Sequence, residues 1–402
     1  MEQRITIGYH PRGCWTTQYG KTPLNSTQNT DNAPPNVRLV VANNMIMEAE
    51  TAHVLQTCQM LAAFERTVPG VRYFWPDFGR GTPVFEALSL RQCPIPCRFR
   101  YGVWRYAEFM LRLWYRLLVA KRGEIAVLFT RNLGVAWMAQ AVVPRVVLEL
   151  HQGLSPRARR VASWLGPRIQ VVAISEGLRR HLLEHDRLAP DRVVVSHDGV
   201  DVDRFANALP LPLEQRPLPT RHTQWNHLYY GTLRPERGLD LIRHAAAQLP
   251  THGFVLIGGD TNQVAAALRS GLDLPNVRVM AAMPHHAMPQ IIRSFDTVLL
   301  PYTRAVSTYR WMSPLKLFEV MASGVPAVVS RLSSIEEVVT DEEVTFIDSD
   351  NPASLVAALR ALEGNPALAK ARAIAAQARA VAQHSWDQRA KDILAFAREV
   401  VA

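Results

Sequence analysis

The sequence predicts an α/β protein with two domains, each built on a doubly wound parallel sheet. From Val37 onward, short apolar strands alternate with amphipathic helices, which is the pattern of βαβ units. A proline-rich stretch without periodicity interrupts this alternation at 207–224. The 402 residues are enough for two separate cores. We therefore expect an N-terminal extension (1–36), a first domain (37–206), a linker (207–224), a second domain (225–384) and a closing helix (385–402).

Composition narrows the class of partner. The net charge of +10 indicates an anionic partner, such as a nucleotide or a phospholipid surface. Because no zinc finger, RNP sequence or basic zipper is present, we expect no nucleic acid. No apolar run reaches membrane-spanning length and no signal peptide is evident, so we expect a cytoplasmic location. The four cysteines lack the spacing of metal ligands; we expect free thiols and no metal site.

The first domain is predicted to begin with a strand, Val37–Ala42, and a helix, Ala49–Phe64. The loop between them contains Asn43 and Asn44, which we place in the cleft. Further strands are predicted at 125–129, 145–150, 170–174 and 193–196. His151 directly follows the third strand of the domain, so it should lie at the carboxyl edge of the sheet, where open α/β folds bind ligands. Gly199, in the turn that ends the domain, is expected at positive φ.

Segment 98–122 combines arginines at helical spacing with aromatic residues. Arg105, Arg112 and Arg116 alternate with Trp104 and Tyr115 along this segment. A basic amphipathic helix with aromatics is typical of proteins that bind an anionic membrane surface. The alternative is an ordinary domain helix that packs its aromatics inward and keeps its arginines in water. Under the first interpretation, the protein contacts the inner face of the cytoplasmic membrane peripherally.

The second domain is predicted to open with a strand, Leu228–Tyr230, and a glycine-bounded turn, Gly231–Gly238. Gly231 permits close backbone approach, and Arg237 can pair with phosphate oxygens. Strands follow at 254–257, 277–280, 297–301 and 327–330.

A short helix at 313–326 joins the last two of these strands and organises the domain. Ser313 is expected to cap it, Pro314 to take its first position and Gly324 to end it. Lys316 in the first turn opposes the helix dipole, which favours a bound anion such as phosphate.

The 313–326 block, with Leu300–Tyr302 and Gly231–Gly238, resembles the donor-binding signature of family-four retaining glycosyltransferases. These enzymes adopt the GT-B fold, in which two Rossmann-like domains face each other across a cleft. The resemblance implies that Glu319 binds the ribose hydroxyls of a nucleotide-sugar. It also implies that His151 lies beside the transferred sugar and that His53, in an Ala-His pair, can face the cleft.

Further site residues follow from the same resemblance. Backbone groups near Met283 would recognise the base. Arg237 and Lys316 would stabilise charge on the diphosphate without a metal. The remaining donor contacts are implied for Gly231, Thr232, Arg234, Met312, Ser313 and Leu315. The family's second glutamate, eight residues before Glu319, is replaced here by Trp311.

The resemblance implies a metal-independent, retaining hexosyltransferase that needs no cofactor. It would move a sugar from a UDP- or GDP-sugar to a carbohydrate or lipid-linked acceptor, in surface polysaccharide or glycolipid synthesis. Two alternatives stay open: a non-catalytic nucleotide-sugar-binding scaffold of the same fold and a GT-B nucleotide-sugar epimerase. Trp311 and a first loop without glycine favour the scaffold.

Overall fold

The computed structural model describes residues 8–9, 15–16, 38–45, 52–79, 91–120, 125–219 and 223–399. The chain divides into two compact units, Met1–Val37 and Arg38–Ala402. In the first unit, strand β1 (Gly8–Tyr9) pairs antiparallel with strand β2 (Trp15–Thr16). The rest of the predicted extension, with Cys14, lies outside the described residues.

The second unit begins with a seven-stranded sheet in which every pairing is parallel. Its strands are β3 (Leu39–Ala42), β4 (Arg72–Asp77), β5 (Arg91–Pro96), β6 (Val127–Thr130), β7 (Arg145–Leu150), β8 (Ile169–Ala173) and β9 (Val193–Val195). Their order across the sheet is β5-β4-β3-β6-β7-β8-β9. The order reverses between β3 and β6, so a ligand crevice is expected at that edge.

A second parallel sheet has six strands. They are β10 (Trp225–Tyr230), β11 (His252–Ile257), β12 (Val277–Met280), β13 (Thr297–Leu300), β14 (Ala327–Ser330) and β15 (Thr345–Ile347), in the order β12-β11-β10-β13-β14-β15. Both faces are covered: Leu228 and Val298 pack in one apolar cluster, while Tyr229 and Leu299 pack in another. This alternation is the two-residue period of strands. The prediction of two parallel-sheet domains is therefore confirmed.

Fourteen helices of the described residues connect and flank these strands. Around the first sheet they are α1 (Ala52–Thr67), α2 (Gly102–Leu118), α3 (Leu133–Ala139), α4 (Pro156–Ala162), α5 (Glu176–Glu184) and α6 (Val202–Ala206). The others are α7 (Leu239–Gln248), α8 (Thr261–Ala267), α9 (Met288–Ile292), α10 (Leu315–Ser323), α11 (Ser333–Glu336), α12 (Pro352–Gly364), α13 (Pro366–Gln383) and α14 (Trp386–Glu399).

The last helix joins the two halves of this unit. Asp387 of α14 accepts hydrogen bonds from Arg66 of α1, at 2.9 Å from Nε and 2.6 Å from Nη2. Ser385, just before α14, pairs with Val200 in an isolated parallel bridge. Phe205 of α6 is buried in the apolar cluster of the second sheet. The chain thus crosses between the sheets twice, near residue 200 and near residue 385.

Two local features differ from the sequence predictions. Strands β4 and β5 were not predicted, because Pro76, Pro94 and Pro96 interrupt their patterns; β5 tolerates its prolines as an edge strand. Gly199 does not have the positive φ that was predicted from the sequence. A Cβ at Gly199 would instead lie 2.9 Å from the backbone nitrogen of Trp386, so close packing against the last helix requires the glycine.

Segment 98–122, described to residue 120, forms α2 but does not pack all its aromatics inward. Phe109 is fully buried, as the ordinary-helix interpretation requires. Trp104 and Tyr115, however, are 68% and 65% exposed. For those two side chains, the inward-packing alternative is wrong.

Candidate active site

Helix α10 presents its N-terminus at the carboxyl edge of the second sheet, between β13 and β14. The predicted cap is wrong by one residue: Pro314 is the N-cap and makes no side-chain cap hydrogen bond. The Ser313 hydroxyl instead accepts a hydrogen bond from the backbone N–H of Asp198, 2.9 Å away. The predicted C-terminus is correct, since Gly324 ends the helix at φ 65°. Ser313 therefore connects the donor-side loop to the turn that ends the first domain.

Lys316 is folded back over the carboxyl end of β10. Its Nζ donates a hydrogen bond to the carbonyl of Tyr230 at 2.8 Å. The same Nζ lies 5.4 to 5.7 Å from the ring centroids of Tyr229, Tyr230 and Tyr302. Burial and the neighbouring charge of Arg237 lower the pKa of Lys316 to about 8, although Glu319 acts in the opposite direction. A second cation thus stands close enough to repel this ammonium.

Arg237 supplies that second cation from the turn Pro235–Arg237 after β10. Its Nε is buried and has no hydrogen-bond partner among the described residues. The buried hydroxyl of Tyr302, next to Lys316, likewise has none there. Among the described residues, the two cations and the unpaired hydroxyl thus lie together without an ion pair to a carboxylate, an arrangement that suits a bound anion.

The other predicted residues of this turn have different environments. Gly231 has φ 136°, and a Cβ there would clash with Nζ of Lys316, so glycine is required. The carbonyl of Thr232 accepts the hydroxyl hydrogen bond of Tyr229 at 2.7 Å. Arg234 is largely exposed and lies 3.9 Å from Glu236.

Glu319 lies one turn further along α10 and is buried, with 6% of its surface exposed. The hydroxyl of Tyr230 donates to its Oε2 at 2.7 Å, and Nε2 of His285 lies 2.7 Å from Oε1. Burial opposes ionisation, but His285, Tyr230 and Lys316 hold the pKa of Glu319 below its usual range. The contacts of Tyr230 and His285 with Glu319 were not predicted from the sequence. His285 follows Met283 and Pro284, so its position beside the predicted base-binding loop was the available signal.

The remaining donor-side residues divide between core and cleft. Met312 is buried in the apolar cluster of the second domain, which leaves only its backbone for a ligand. Met283 packs against the same cluster. Leu315 lines a narrow cavity with Glu319 and His285, and Leu55 and Gln56 of α1 form the opposite wall. Both domains therefore meet around Glu319.

On the first domain, His151 follows β7 and remains 21% exposed at its side chain. Its Nε2 lies 2.7 Å from Oε1 of Glu149, a buried carboxylate that the sequence analysis did not identify. Burial would raise the pKa of Glu149. Arg131, Arg389 and the hydrogen bond with His151 nevertheless hold that pKa well below its usual range.

The predicted acceptor-side residues lie at the same edge. Asn43 is buried, and its Oδ1 accepts from the backbone N–H of Arg131 at 2.8 Å. The buried Oδ1 of Asn44 has no hydrogen-bond partner among the described residues. The ring of His53 lies 6.3 Å from that of His151, centroid to centroid. Burial, His151 and Arg131 lower the pKa of His53.

Three further properties of the described residues concern metal ligands, membrane-spanning helices and cysteines. No group of three or more histidine, cysteine or acidic residues in the described ranges is arranged to hold a metal ion. Among the helices of those ranges, none combines the length and apolar character that crossing a bilayer requires. Of the described cysteines, Cys58 and Cys93 are partly buried and Cys97 is buried.

Comparison with known proteins finds similarity to glycosyltransferases, strongest in the second domain. Residues 236–395 match the family model described as glycosyl transferase-like. The alpha-maltose-1-phosphate synthase of Mycolicibacterium smegmatis is 27% identical over 252 residues, 58% of this chain and 63% of that protein. The phosphatidyl-myo-inositol mannosyltransferase of Mycobacterium tuberculosis H37Rv is 28% identical over 234 residues, 56% of this chain and 57% of that protein. The chain covers 34 to 63% of the length of its first curated relatives.

Solved structures share the fold over most of the chain. A glycosyltransferase from Rickettsia africae superposes with a TM-score of 0.73 at 13% identity, covering 91% of this chain and 99% of that one. The Anabaena protein HepE, solved with UDP and glucose, gives a TM-score of 0.67 at 15% identity, covering 89% and 98%. The predicted GT-B fold and the resemblance to glycosyltransferases are confirmed.

Proposed function

We propose that this protein is a retaining, metal-independent glycosyltransferase that takes its sugar from a nucleotide-diphosphate-sugar. The observation that carries the proposal is the pair of cations Arg237 and Lys316, which lie close together at the N-terminus of α10. Among the described residues, neither forms an ion pair with a carboxylate. A diphosphate fits this charge, and the helix N-terminus adds free backbone N–H groups. The match to glycosyltransferases over 236–395 includes all these residues.

The transfer step places specific demands on these groups. The bond between the anomeric carbon and the diphosphate oxygen breaks, and its electron pair stays on the diphosphate. An acceptor hydroxyl forms the new bond from the same face and gives its proton to the departing diphosphate. Arg237 and Lys316 stabilise the departing diphosphate electrostatically, and no metal is needed for that charge. We identify no carboxylate pair in the sequence that suits a two-acid glycosidase mechanism, so we do not propose one.

The nucleoside end of the donor belongs at Glu319. Each oxygen of this ionised carboxylate carries one protein hydrogen bond and keeps a second acceptor site for a ribose hydroxyl. Backbone groups near Met283 would contact the base, with UDP as the first candidate because HepE was solved with UDP. The sugar would then extend past Ser313 toward His151.

The acceptor side is the edge of the first sheet, near Asn44, His53 and His151. We propose a carbohydrate or lipid-linked acceptor used in surface polysaccharide or glycolipid synthesis. The names of two relatives support this class: one is a phosphatidyl-myo-inositol mannosyltransferase and another a putative teichuronic acid biosynthesis glycosyltransferase.

A ligand-binding experiment tests the donor site directly. The purified chain is titrated with UDP, GDP, ADP and their common sugar conjugates, in EDTA and then in magnesium, while its thermal midpoint is measured. A ligand at a hundredfold excess over its Kd stabilises the native state by about 2.7 kcal/mol. We expect one nucleotide to shift the midpoint in EDTA. If none does, and calorimetry agrees, the donor site is wrong.

Substitution then tests the cation pair. Arg237→Gln should abolish both nucleotide binding and donor turnover, because it removes half of the positive charge that faces the diphosphate. Arg243→Gln is the matched control, since Arg243 is an exposed α7 arginine that pairs only loosely with Asp240 at 3.5 Å. Full activity of Arg237→Gln would remove the assignment of the diphosphate site.

The non-catalytic scaffold remains the main alternative, because both oxygens of Glu319 already have protein partners and Trp311 replaces an acidic residue. A scaffold and an enzyme both bind the nucleotide, but only an enzyme releases it from the nucleotide-sugar. Slow hydrolysis of the bound donor, measured as free nucleotide, supports a transferase. An epimerase would instead convert the sugar without a net release of nucleotide.

We also propose peripheral contact with the inner face of the cytoplasmic membrane. The contact surface, which we call the α2 face, consists of the exposed side chains of Phe99, Tyr101, Val103, Trp104, Leu111, Tyr115, Leu118 and Val119. Four arginines lie in the same stretch, and Glu108, its one acidic residue, is engaged by Arg112 and by the backbone N–H groups of residues 98 and 99. A groove of about 500 Å³ beside Trp114 and Tyr115 continues the face toward β5.

Arginines and interfacial aromatics on one face fit an anionic bilayer. We expect the protein to sediment with vesicles that contain phosphatidylglycerol and not with pure phosphatidylcholine, and high salt should weaken this binding. The double variant Trp104→Ser/Tyr115→Ser should lose it. Its control is Leu209→Ser/Leu213→Ser, which removes two equally exposed apolar side chains elsewhere. Equal loss in both variants would contradict the α2 face.

A further inference from the structure

One buried carboxylate holds His151 in place. Glu149 lies on β7 two residues before His151, and its side chain is completely inaccessible to solvent. Its Oε1 accepts from Nε of Arg131 and faces Nε2 of His151, each at 2.7 Å. Its Oε2 accepts from Nη2 of Arg389 at 2.8 Å. Among the described residues, the polar contacts of this carboxylate are therefore with nitrogen atoms.

The contact fixes which nitrogen of His151 carries the proton. Arg131 and Arg389 keep Glu149 ionised, and an ionised carboxylate can only accept hydrogen bonds. The 2.7 Å contact is therefore a hydrogen bond that Nε2–H of His151 donates. In the neutral ring, Nδ1 is then the unprotonated nitrogen and acts as an acceptor.

We propose that Glu149 is the positioning residue of the sugar site. It holds the His151 ring as the Nε2–H tautomer, so that Nδ1 accepts a hydrogen bond from a hydroxyl of the transferred sugar. This inference rests on the proposed function, which places His151 beside that sugar. The other charged or titratable side chains near the ring are Arg131 and His53, whose ring lies 6.3 Å away.

Arg389 extends this support to the last helix of the chain. It is 4% exposed and lies on α14, whereas Glu149 lies in the first sheet. Its Nε donates to the carbonyl of His197 at 2.7 Å and its Nη2 to that of Ser196 at 3.2 Å, which fixes the guanidinium. Because the planar fork is fixed at both ends, Arg389 determines the rotamer of Glu149. The orientation of His151 thus depends on a helix some 240 residues away in sequence.

Nuclear magnetic resonance of the ligand-free protein tests the tautomer. The full chain is labelled with ¹⁵N-histidine, and long-range ¹H–¹⁵N correlations are recorded at about pH 8, where an ordinary histidine is neutral. The His151 signals are assigned by their loss in His151→Gln. We expect a single tautomer protonated at Nε2. A ring protonated at Nδ1, whether singly or doubly protonated, would overturn the proposal without any variant of the network.

Two substitutions separate the carboxylate from its arginine. Glu149→Gln keeps the shape but can donate as well as accept, so we expect a mixture of His151 tautomers. Arg389→Gln should also produce a mixture, because the carboxylate loses its fixed rotamer. Arg66→Gln is the matched control: it removes an exposed ion pair between α1 and α14 and should leave the tautomer unchanged. An unchanged tautomer in Arg389→Gln would remove Arg389 from the proposal.

Failure of this inference can be told apart from failure of the proposed function. The tautomer is measured without substrate, whereas the donor site is tested by nucleotide binding. If a nucleotide binds and His151 is protonated at Nδ1, only the positioning role is wrong. Once the donor is known, Glu149→Gln should lower kcat, expressed per nucleotide-binding site counted by calorimetry, and leave the donor KM unchanged. Partial unfolding would lower the number of binding sites and not the kcat of each site.

Discussion

At the scale of single residues, Lys316 is the side chain whose environment departs most from that of a surface lysine. Burial and Arg237 lower its pKa to about 8, so a fraction of the free protein carries it uncharged near neutral pH. A bound diphosphate favours the ammonium form and raises this pKa. Binding therefore takes up a proton whenever the pH lies above about 8.

The affinity for a nucleoside diphosphate should consequently fall above this pH. Well below pH 8 almost all Lys316 is charged and affinity is flat; at pH 9 only about a tenth of the free protein is charged, so Kd rises about tenfold. Isothermal titration calorimetry between pH 7 and 9, in buffers of different ionisation enthalpy, measures both the Kd and the proton uptake.

Lys316→Met provides the control for this dependence. It should bind more weakly at every pH and lose the dependence, because no group with a pKa near 8 remains at the diphosphate. A Kd that is constant to pH 9 in the unchanged protein would contradict the coupling. An equal pH dependence in Lys316→Met would assign it to another group.

At the scale of elements, strands β10 and β11 carry a buried pair of histidines. Nε2 of His227 lies 2.9 Å from Nδ1 of His252, and Nε2 of His252 lies 3.3 Å from Glu363. Both rings are about 1% exposed. Burial and the neighbouring His252 lower the pKa of His227 to about 3. The folded protein thus keeps His227 neutral through the range in which an unfolded chain protonates it.

This pair should make the protein acid-sensitive. Below about pH 6.5 unfolded His227 binds a proton that the folded state refuses, so stability falls as the pH drops. The loss is at most about 1.4 kcal/mol per pH unit, or about 2 kcal/mol at pH 5 relative to pH 7. Urea unfolding at the two pH values measures it.

A matched pair of variants identifies the source. His227→Gln cannot titrate, so its stability should change less between pH 7 and 5. His244→Gln, on the exposed face of α7, should behave as the unchanged protein does. If both variants lose the same stability in acid, His227 is not the group responsible.

The elements also show what the sequence could and could not predict. The bounds of β7, β12 and β14 were correct, since short segments rich in β-branched and apolar residues between turn residues favour a strand. Strands β4 and β5 were missed because their prolines interrupt the apolar pattern that predicts a strand. In the structure, β4 pairs with β3 and β5 pairs with β4. Lys316 and Arg237 were proposed as phosphate-binding residues from local sequence features: the first turn of a predicted helix and a glycine-bounded turn. Glu149, Arg389 and His285 act through contacts between distant segments, which no local pattern carries.

At the scale of the whole molecule, Trp311 joins the two domains. It precedes α10 in the second domain, yet its side chain packs against the apolar cluster of the first, 5.0 Å from the ring of His181. Its carbonyl accepts from the hydroxyl of Ser175 at 3.0 Å. Beside it, Glu337 of the second domain accepts from the backbone N–H groups of Glu176 and Gly177 at 2.7 and 2.8 Å. That carboxylate sits at the N-terminus of α5, where the helix dipole favours it.

Position 311 is therefore an interdomain contact, although the resemblance implies a sugar-contacting glutamate there. Restoring that glutamate distinguishes the two roles. Trp311→Glu places a carboxylate against an apolar cluster, so we expect a stability loss of about 3 kcal/mol and partial separation of the domains. Small-angle X-ray scattering of the ligand-free protein should show a larger radius of gyration. Trp164→Glu, at an exposed position, should change neither quantity. If Trp311→Glu instead kept its radius and raised donor turnover, the side chain at 311 would face the sugar, and the contact between the domains would depend on Glu337, Ser313 and helix α14.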